Sequence, residues 1–349
     1  MKKIRISDLI TIVQRILQGA GVNAEESLLV ARSLVSSNIM GHDSHGVVRV
    51  AQYVPWIKEG SIQLGKELTL VKEADASALV DGQWGFGQSI CHQATQLVCE
   101  KARQRSVGVV ELFNCSHIGR LGEYVEVMAE KNMIGLVTCN NHGGGILQAP
   151  FGGIDARMSP NPIAVGVPTG GEFPIVVDMT SSVVAEGKIR MKRNLGEHLP
   201  DGWALNSNGD PITNPNEFYG PPMGAILPFG GSSAHKGFAL SIVVEVLSGA
   251  LGGGGYSGTK KAPRGKNGVF LMAIDIAAFL DPKDFNEQTT EFINWLKSSR
   301  LMAGFDEIIV PGELEYRNRK SKEISGIEID NETWNQLIET GTDLGVKIS

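Results

Sequence analysis

A chain of 349 residues that is 42% hydrophobic and 20% charged has enough apolar material for roughly two or three lobes and is not a disordered segment. Its net charge of −6, with no basic stripe interleaved with aromatics, speaks against a nucleic-acid partner, and no apolar run approaches the ~18 residues of a membrane span. The basic start lacks the apolar stretch and small-residue cleavage site of an export signal, so we expect a cytoplasmic protein whose partners are small molecules and copies of itself.

Taken in order, residues 7–19 carry a helical stripe of Leu9, Ile10, Val13, Ile16 and Leu17. Asn23 followed by Glu26 reads as a capping-box start for a second helix that ends at Gly41. The next stretch, 41–53, is Gly-His-Asp-Ser-His-Gly-Val-Val-Arg-Val-Ala-Gln-Tyr, too polar to be core. With Ser44 or Asp43 as N-cap, the apolar spacing predicts a third helix to Gly60, and His45, Arg49 and Tyr53, four apart, share one of its faces. An imidazole, a guanidinium fork and a phenol beside a helix N-terminus outline a site for a carboxylate. The plainer alternative makes His45 a solvated residue of the first turn and Arg49 the partner of a surface acid.

The period then changes. Residues 68–71 and 78–81 read as strands, 88–105 as an amphipathic helix and 107–113 as a further strand. Immediately beyond comes Asn114-Cys-Ser-His-Ile-Gly-Arg-Leu-Gly, where His117 is a candidate catalytic group because a rigid strand aims the loop that follows it. A helix over 122–131, a strand over 133–139 and a flexible turn over 141–145 follow. The Gly- and Pro-rich stretch 149–174 suggests strands joined by tight turns, and 175–182 a strand ending in polar residues. Residues 196–228 read as surface loop. The turn 230–237 leads into an apolar helix over 238–251 and offers free backbone N–H groups, with Lys236 adding charge, as a phosphate cradle. A strand over 268–276, a helix over 284–300, a strand over 307–310 and a last helix over 331–344, returning to the N-terminal helices, complete the reading.

Several near-motifs fail on context. Residues 253–258 match G-x-G-x-x-G but follow a helix, and 260–264 do not start one, so no Rossmann turn is expected. Residues 230–236 lack the hydroxyl after the Lys that a P-loop needs. Ser44 and His45, adjacent on a helix, point apart and make a poor nucleophile–base pair. Cys91, Cys99, Cys115 and Cys139 lack metal-type spacing and read as buried, reduced thiols, and no metal site is expected.

Taken together, Gly-His-Asp-Ser-His-Gly (41–46), His-Ile-Gly (117–119), Asn-Pro-Ile-Ala (161–164), Asp-Met-Thr-Ser (178–181), His-Lys-Gly (235–237) and Pro-Gly-Glu (311–313) resemble the malate/L-lactate dehydrogenase family. This group of NAD(P)-dependent 2-hydroxyacid oxidoreductases includes ureidoglycolate, sulfolactate and diketogulonate enzymes, and the likeness runs over 4–315. One departure is Pro160, where the family has Thr. The resemblance implies an α/β fold: a non-Rossmann nicotinamide-binding sheet domain (121–279), a central α/β domain (76–120 with 280–320), and a helical N-terminal lobe (1–75) joined by C-terminal segments (321–349). It further implies a homodimer using NAD(H), or NADP(H), on a 2-oxo or 2-hydroxy acid. His117 is then the acid/base, with His45 and Ser44 on the substrate oxygen, Arg49 on its carboxylate and Asp178 orienting an imidazole; the two histidines can exchange roles. Asn141, Asp178, Met179, Thr180, Ser181, Lys236, Gly237, Pro311, Gly312 and Glu313 fall at the cofactor. Rival expectations are a metal-dependent hydrolase or lyase built on His42, His45, His117 and His142, and a non-catalytic metabolite-binding protein.

Overall fold

The computed structural model describes residues 1–258 and 265–348, so the expectation for 260–264 lies outside the described residues. After strand β1 (Lys2–Ile4), helices α1 (Ile6–Gly19) and α2 (Ala24–Met40) form as the apolar stripes predict. Asn23 caps α2 by accepting from the Glu26 N–H at 2.9 Å, and Gly41, at φ 91°, ends it.

The third helix is not the continuous one expected. Two 3-10 turns, Asp43–His45 and Val47–Arg49, precede α3 (Val50–Lys58), and neither Asp43 nor Ser44 caps it. The cause is Asn38, near the end of α2. Its Oδ1 accepts from the Val47 N–H at 2.8 Å while its Nδ2 donates to Asp43 at 2.6 Å. A Cβ at residue 46 would stand 2.2 Å from that Oδ1, so only glycine fits, and Gly46 adopts an extended conformation that breaks the helix. His45, Arg49 and Tyr53 therefore do not line one helical face. Tyr53 is fully buried, edge-on to Phe86 at 5.3 Å.

A seven-stranded mixed sheet forms the centre, in the order β2-β3-β4-β11-β5-β6-β7. Its early members are β2 (Thr69–Glu73), β3 (Ser77–Asp81), β4 (Val107–Ser116), β5 (Met133–Asn141), β6 (Ile163–Val167) and β7 (Ile175–Met179). Helix α4 (Gly87–Arg105) links β3 to β4, α5 (Gly122–Glu130) links β4 to β5, and α6 (Glu186–Leu195) follows β7. Residues 149–174 hold one strand, β6, where several were expected. The stretch 196–228 is not wandering loop: β8 (Ala204–Leu205), β9 (Pro211–Ile212), α7 (Pro215–Phe218) and β10 (Ala225–Ile226) build a small sheet over its own apolar cluster of Ile189, Leu199, Phe218 and Ile226.

Helix α8 (His235–Glu245) starts three residues before the expected 238, so Lys236 and Gly237 lie inside it, and it runs into a π-helical turn, Val246–Ala250. Residues 253–258 are turn after that helix, as their failure of the dinucleotide context requires. Strand β11 (Lys266–Asp275) pairs with both β4 and β5, so the sheet runs unbroken across the boundary expected at 120/121, and β2, expected in the N-terminal lobe, is its edge strand. Helices α9 (Pro282–Lys297) and α10 (Glu313–Ser325) follow; 307–310 is irregular chain rather than a strand. Strand β12 (Ile327–Ile329) pairs with β1, and α11 (Asn331–Asp343) returns to α1 and α3 as expected. The four cysteines are buried and unpaired.

Two larger cores result. One lies on the sheet, around Val110, Leu112, Tyr124, Val137 and Leu271, and the other joins α1, α2, α3 and α11 around Leu9, Ile16, Leu34, Tyr53 and Leu337. The Asn38 contacts predict a specific coupling. Asn38→Ala strands a buried N–H and should cost about 1–3 kcal/mol in urea denaturation. Gly46→Ala should also destabilise, but much less when Asn38 is already alanine. Additive losses in this double-mutant cycle would show that Asn38 does not set the backbone at Gly46.

Candidate active site

Strands β3, β4, β5 and β7 all point the same way, because β3 is parallel to β4 while β4 and β5 both oppose β11 and β7 opposes β6, itself antiparallel to β5. Their C-terminal ends share one edge, the usual place for ligands on such sheets. His117 is the first residue beyond β4, Asn141 ends β5, and Asp178 and Met179 end β7. Asn267 on β11 ties this edge together, since its Oδ1 accepts from the Ile118 N–H at 3.0 Å and its Nδ2 donates to the Asn140 carbonyl at 2.9 Å.

Here the turn at 43–49 meets the sheet. The rings of His45 and His117 stack with centroids 5.6 Å apart and planes inclined by 18°. His117 Nδ1 lies 2.8 Å from the Tyr53 hydroxyl, which receives a hydrogen bond from Gln88 Nε2 at 2.9 Å. Phenol and ring nitrogen can each donate in that contact, which commits Nδ1 to Tyr53 in both protonation states of the ring. His45 Nδ1 lies 3.0 Å from Ser44 Oγ, a contact that the expected α-helix forbids and the 3-10 turn permits.

Burial, then the charge of Arg49, keeps both imidazoles neutral. His45 is pushed down to about 3, with smaller pushes from His42 and Arg120, and His117 falls well below the usual histidine range. Arg49 itself donates from Nε to the Ser44 carbonyl at 2.6 Å and from Nη1 to Gln52 at 2.8 Å. Among the described residues it makes no ion pair with a carboxylate, and Glu186 is the acid that acts on it electrostatically. The N-terminus of α6 faces this spot: a Cβ on Gly187 would lie 3.8 Å from Ser44 Cβ, and no side chain caps that helix. Arg49 and this helix end thus meet beside Ser44, with Glu186 of the same first turn as the opposing charge.

Asp178 accepts the Gly122 N–H at 2.7 Å; burial raises its pKa, opposed chiefly by Arg120. Sequence reasoning missed Arg120 and Gln88, as well as Glu315, whose carboxylate stands 3.3 Å from His42 Nε2. Arg120 stands three residues after His117, and a charge in a loop ordinarily signals only solvent. The remaining expected residues divide. Asn141 and Met179 sit at the strand ends, Thr180 Oγ1 donates to the Ser182 carbonyl at 3.1 Å, and Lys236 is exposed on α8. Ser181 instead turns inward, its hydroxyl on the Pro160 carbonyl at 2.8 Å. Gly237 is a packing residue, since a Cβ there would meet the Phe229 carbonyl at 2.4 Å. Pro311 accepts from the Val176 N–H at 3.2 Å, and Gly312, at φ 91°, leaves no room for a Cβ, which would lie 2.6 Å from the Pro174 carbonyl. The Glu313 carboxylate is saturated by Lys297, Arg317 and the Val310 N–H, so it clasps α9 and α10 to the sheet end. His142 is buried edge-on to Trp84, and among the described residues no group of three or more His, Cys, Asp or Glu is placed to hold a metal. No helix of the described residues is long and apolar enough to cross a membrane.

Comparison with known proteins bears directly on this arrangement. The family model for malate/L-lactate dehydrogenase matches residues 4–338. Malate dehydrogenase of Pyrococcus abyssi is 36% identical over 97% of this chain and 94% of its own length. L-sulfolactate dehydrogenase of Methanothermobacter thermautotrophicus is 33% identical over 97% of this chain and 96% of its own. The solved malate dehydrogenase of Pyrococcus horikoshii superposes with a TM-score of 0.90 at 32% identity, over 99% of this chain and 96% of that one. With its neutral imidazole pair and unpaired arginine at the carboxyl edge of a mixed sheet, the chain belongs to the malate/L-lactate dehydrogenase family and is a hydroxyacid oxidoreductase.

Proposed function

We propose that this enzyme exchanges a hydride between a nicotinamide dinucleotide, NAD(H) in preference to NADP(H), and a small 2-oxo or 2-hydroxy acid of the malate or lactate kind. The observation that carries the reading is Arg49, a guanidinium without a carboxylate partner, one short turn from two uncharged imidazoles. A planar fork suits a carboxylate, and the uncapped start of α6 beside Ser44 favours the same charge. Relatives bearing the names malate and sulfolactate dehydrogenase point to acids with a second anionic group.

The cofactor side fits such a dinucleotide. Helix α8 starts without a side-chain cap behind a glycine turn, with Lys236 exposed on its first turn, which suits a pyrophosphate. Asn141, Met179 and Thr180 lie where a nicotinamide would approach the sheet edge, while Pro311, Gly312 and Glu313 brace it. The bound nicotinamide supplies or accepts the hydride.

Every other part of the chemistry falls to the chain. In the protonated form of His117 both ring nitrogens carry hydrogen. Nδ1–H then donates to the Tyr53 oxygen and Nε2–H to the substrate's carbonyl oxygen. Passing that proton leaves a neutral ring whose Nε2 is the base for the reverse reaction. After burial, Arg49 is the largest influence against protonating His117, and a substrate carboxylate on Arg49 would offset that second part. Ser44 and His45 hold the same oxygen, and Asp178, which among the described residues bonds the Gly122 N–H and no ring, is assigned the orienting of an imidazole.

We keep the lobes 1–75 with 321–349, 76–120 with 280–320, and 121–279 as substrate and cofactor sides, amended so that β2 and β11 belong to one shared sheet. A cytoplasmic homodimer completes the reading. Exposed Ile242 and Val243 on α8, Val246 on its π turn and Leu251 just beyond offer an apolar face for a second copy, and light scattering on the purified protein tests it.

A panel of 2-oxo acids with NADH and NADPH, followed at the nicotinamide absorbance, tests the reaction, and turnover with neither cofactor ends the proposal. His117→Ala should lower kcat by on the order of 10² while NADH still binds. Activity that survives there and disappears in His45→Ala would reverse the two roles. Arg49→Lys keeps the charge and loses the fork, so kcat/KM for the 2-oxo acid should fall severely with an unchanged melting temperature; wild-type kinetics would retire the carboxylate clamp.

The neutral imidazoles also set a pH limit. His45 titrates near about 3 when folded, against ~6.5 in an unfolded chain. Between those values the unfolded chain binds a proton that the native state refuses, so stability is lost as pH falls below ~6.5. In His45→Gln the fall of Tm with acid should be shallower than in the wild type, and parallel curves would exclude a buried neutral imidazole at this position.

A further inference from the structure

Arg120 is an unusual residue for a turn. It is only 2% exposed, and of its guanidinium nitrogens Nη2 alone is bonded, to Glu126 Oε2 on α5 at 2.7 Å. Nε and Nη1 are buried with no partner among the described residues. A buried donor left unmade costs about 1–3 kcal/mol, more on a charged group, so a guanidinium held this way needs a reason. Its surroundings supply one. A Cβ at residue 122 would lie 2.1 Å from Arg120 Nη1 and 3.0 Å from Asp178 Oδ2, so the two groups converge on one backbone position, where a side chain would push the guanidinium aside. The N–H of that same glycine already holds Asp178 Oδ2.

We propose that Arg120 is a positioning residue of the reaction: clamped at one end by Glu126, its guanidinium faces Asp178 across Gly122 and keeps that carboxylate an acceptor for the imidazole it orients. The charges around Asp178 are Arg120 from the 117–122 loop, His42 from the turn after α2 and Glu315 from α10. Burial and Glu315 favour the protonated acid, and Arg120 is the largest influence against it, followed by the Gly122 N–H and His42. Glu123 and Glu126 on α5 complete the ring of charge about Arg120 itself. A protonated Asp178 would offer a donor where a protonated imidazole also brings one, and the orienting bond would be lost. The unbonded Nη1 belongs to this arrangement, since pairing it elsewhere would draw the guanidinium from the carboxylate.

This inference rests on the proposed role of Asp178, so its test begins with a measurement that needs no substrate. In ligand-free protein labelled with 13C at the aspartate carboxyl, and with Asp178→Asn for assignment, the Asp178 titration midpoint should rise by about one unit or more in Arg120→Met. Arg120→Lys, which restores a charge, should recover part of the shift. In kinetics, the acid limb of kcat/KM should move to higher pH in Arg120→Met with KM for the 2-oxo acid nearly unchanged, and again partly return in Arg120→Lys. If Arg120→Met does not fold, the smaller shift in Arg120→Lys decides. An unmoved Asp178 titration in a folded variant overturns the proposal, as does a rise in KM with an unmoved pH profile, which would make Arg120 a direct substrate contact. Wild-type protein inactive on every 2-oxo acid would overturn the proposed reaction while leaving the titration result legible.

Discussion

One asparagine decides where the reacting groups stand. Asn38 holds the Val47 N–H and Asp43 at once, and the space its oxygen occupies is the space a side chain at residue 46 would need. The chain between α2 and α3 therefore cannot continue as a helix, and Ser44, His45 and Arg49 are carried on tight turns that project toward the end of β4. Asn38 is itself anchored, since Lys322 of α10 donates to its carbonyl at 2.6 Å and Asn318 to that of Met40 at 3.1 Å. A segment nearly three hundred residues away in the chain thus fixes the position of the first histidine.

Electrostatically, the site is a set of groups kept from their ordinary partners. Two imidazoles are held uncharged, and among the described residues one arginine has no carboxylate in an ion pair and another leaves two buried donors unused. Perturbed groups collect at functional sites because chemistry needs states that water would relax. The Tyr53 phenol, pushed up to about 12 by burial, stays protonated and can give or receive a hydrogen bond as His117 changes state.

Much of the framework was legible. Helices α1, α2, α4 and α11 carry clean apolar stripes, and β4, β5 and β11 are long apolar runs that nothing else explains. The third helix was misread because Val47, Val48, Tyr53 and Val54 keep helical spacing across the break, while the bond that breaks it comes from Asn38, outside the local pattern. The sheet of β8, β9 and β10 is built from two-residue strands, too short for any period to register. His117 was found because a strand aimed it. Arg120 was not, because what distinguishes it is burial beside Asp178, and the chain brings those two together only through the sheet. Glu313 and Gly237 stood within motifs, yet their side of the story is packing, which spacing cannot separate from contact with a ligand.

The bond pattern of Asn267 has a mechanical consequence. By gripping the strand end before Asn141 and the loop that carries His117, it joins the ends of β4 and β5 into one braced edge, so the spacing between that loop and Asn141 is set by the sheet itself. Across from it, α6 leans over Ser44 from a small sheet with its own apolar core, so the two sides of the site are held by separate cores.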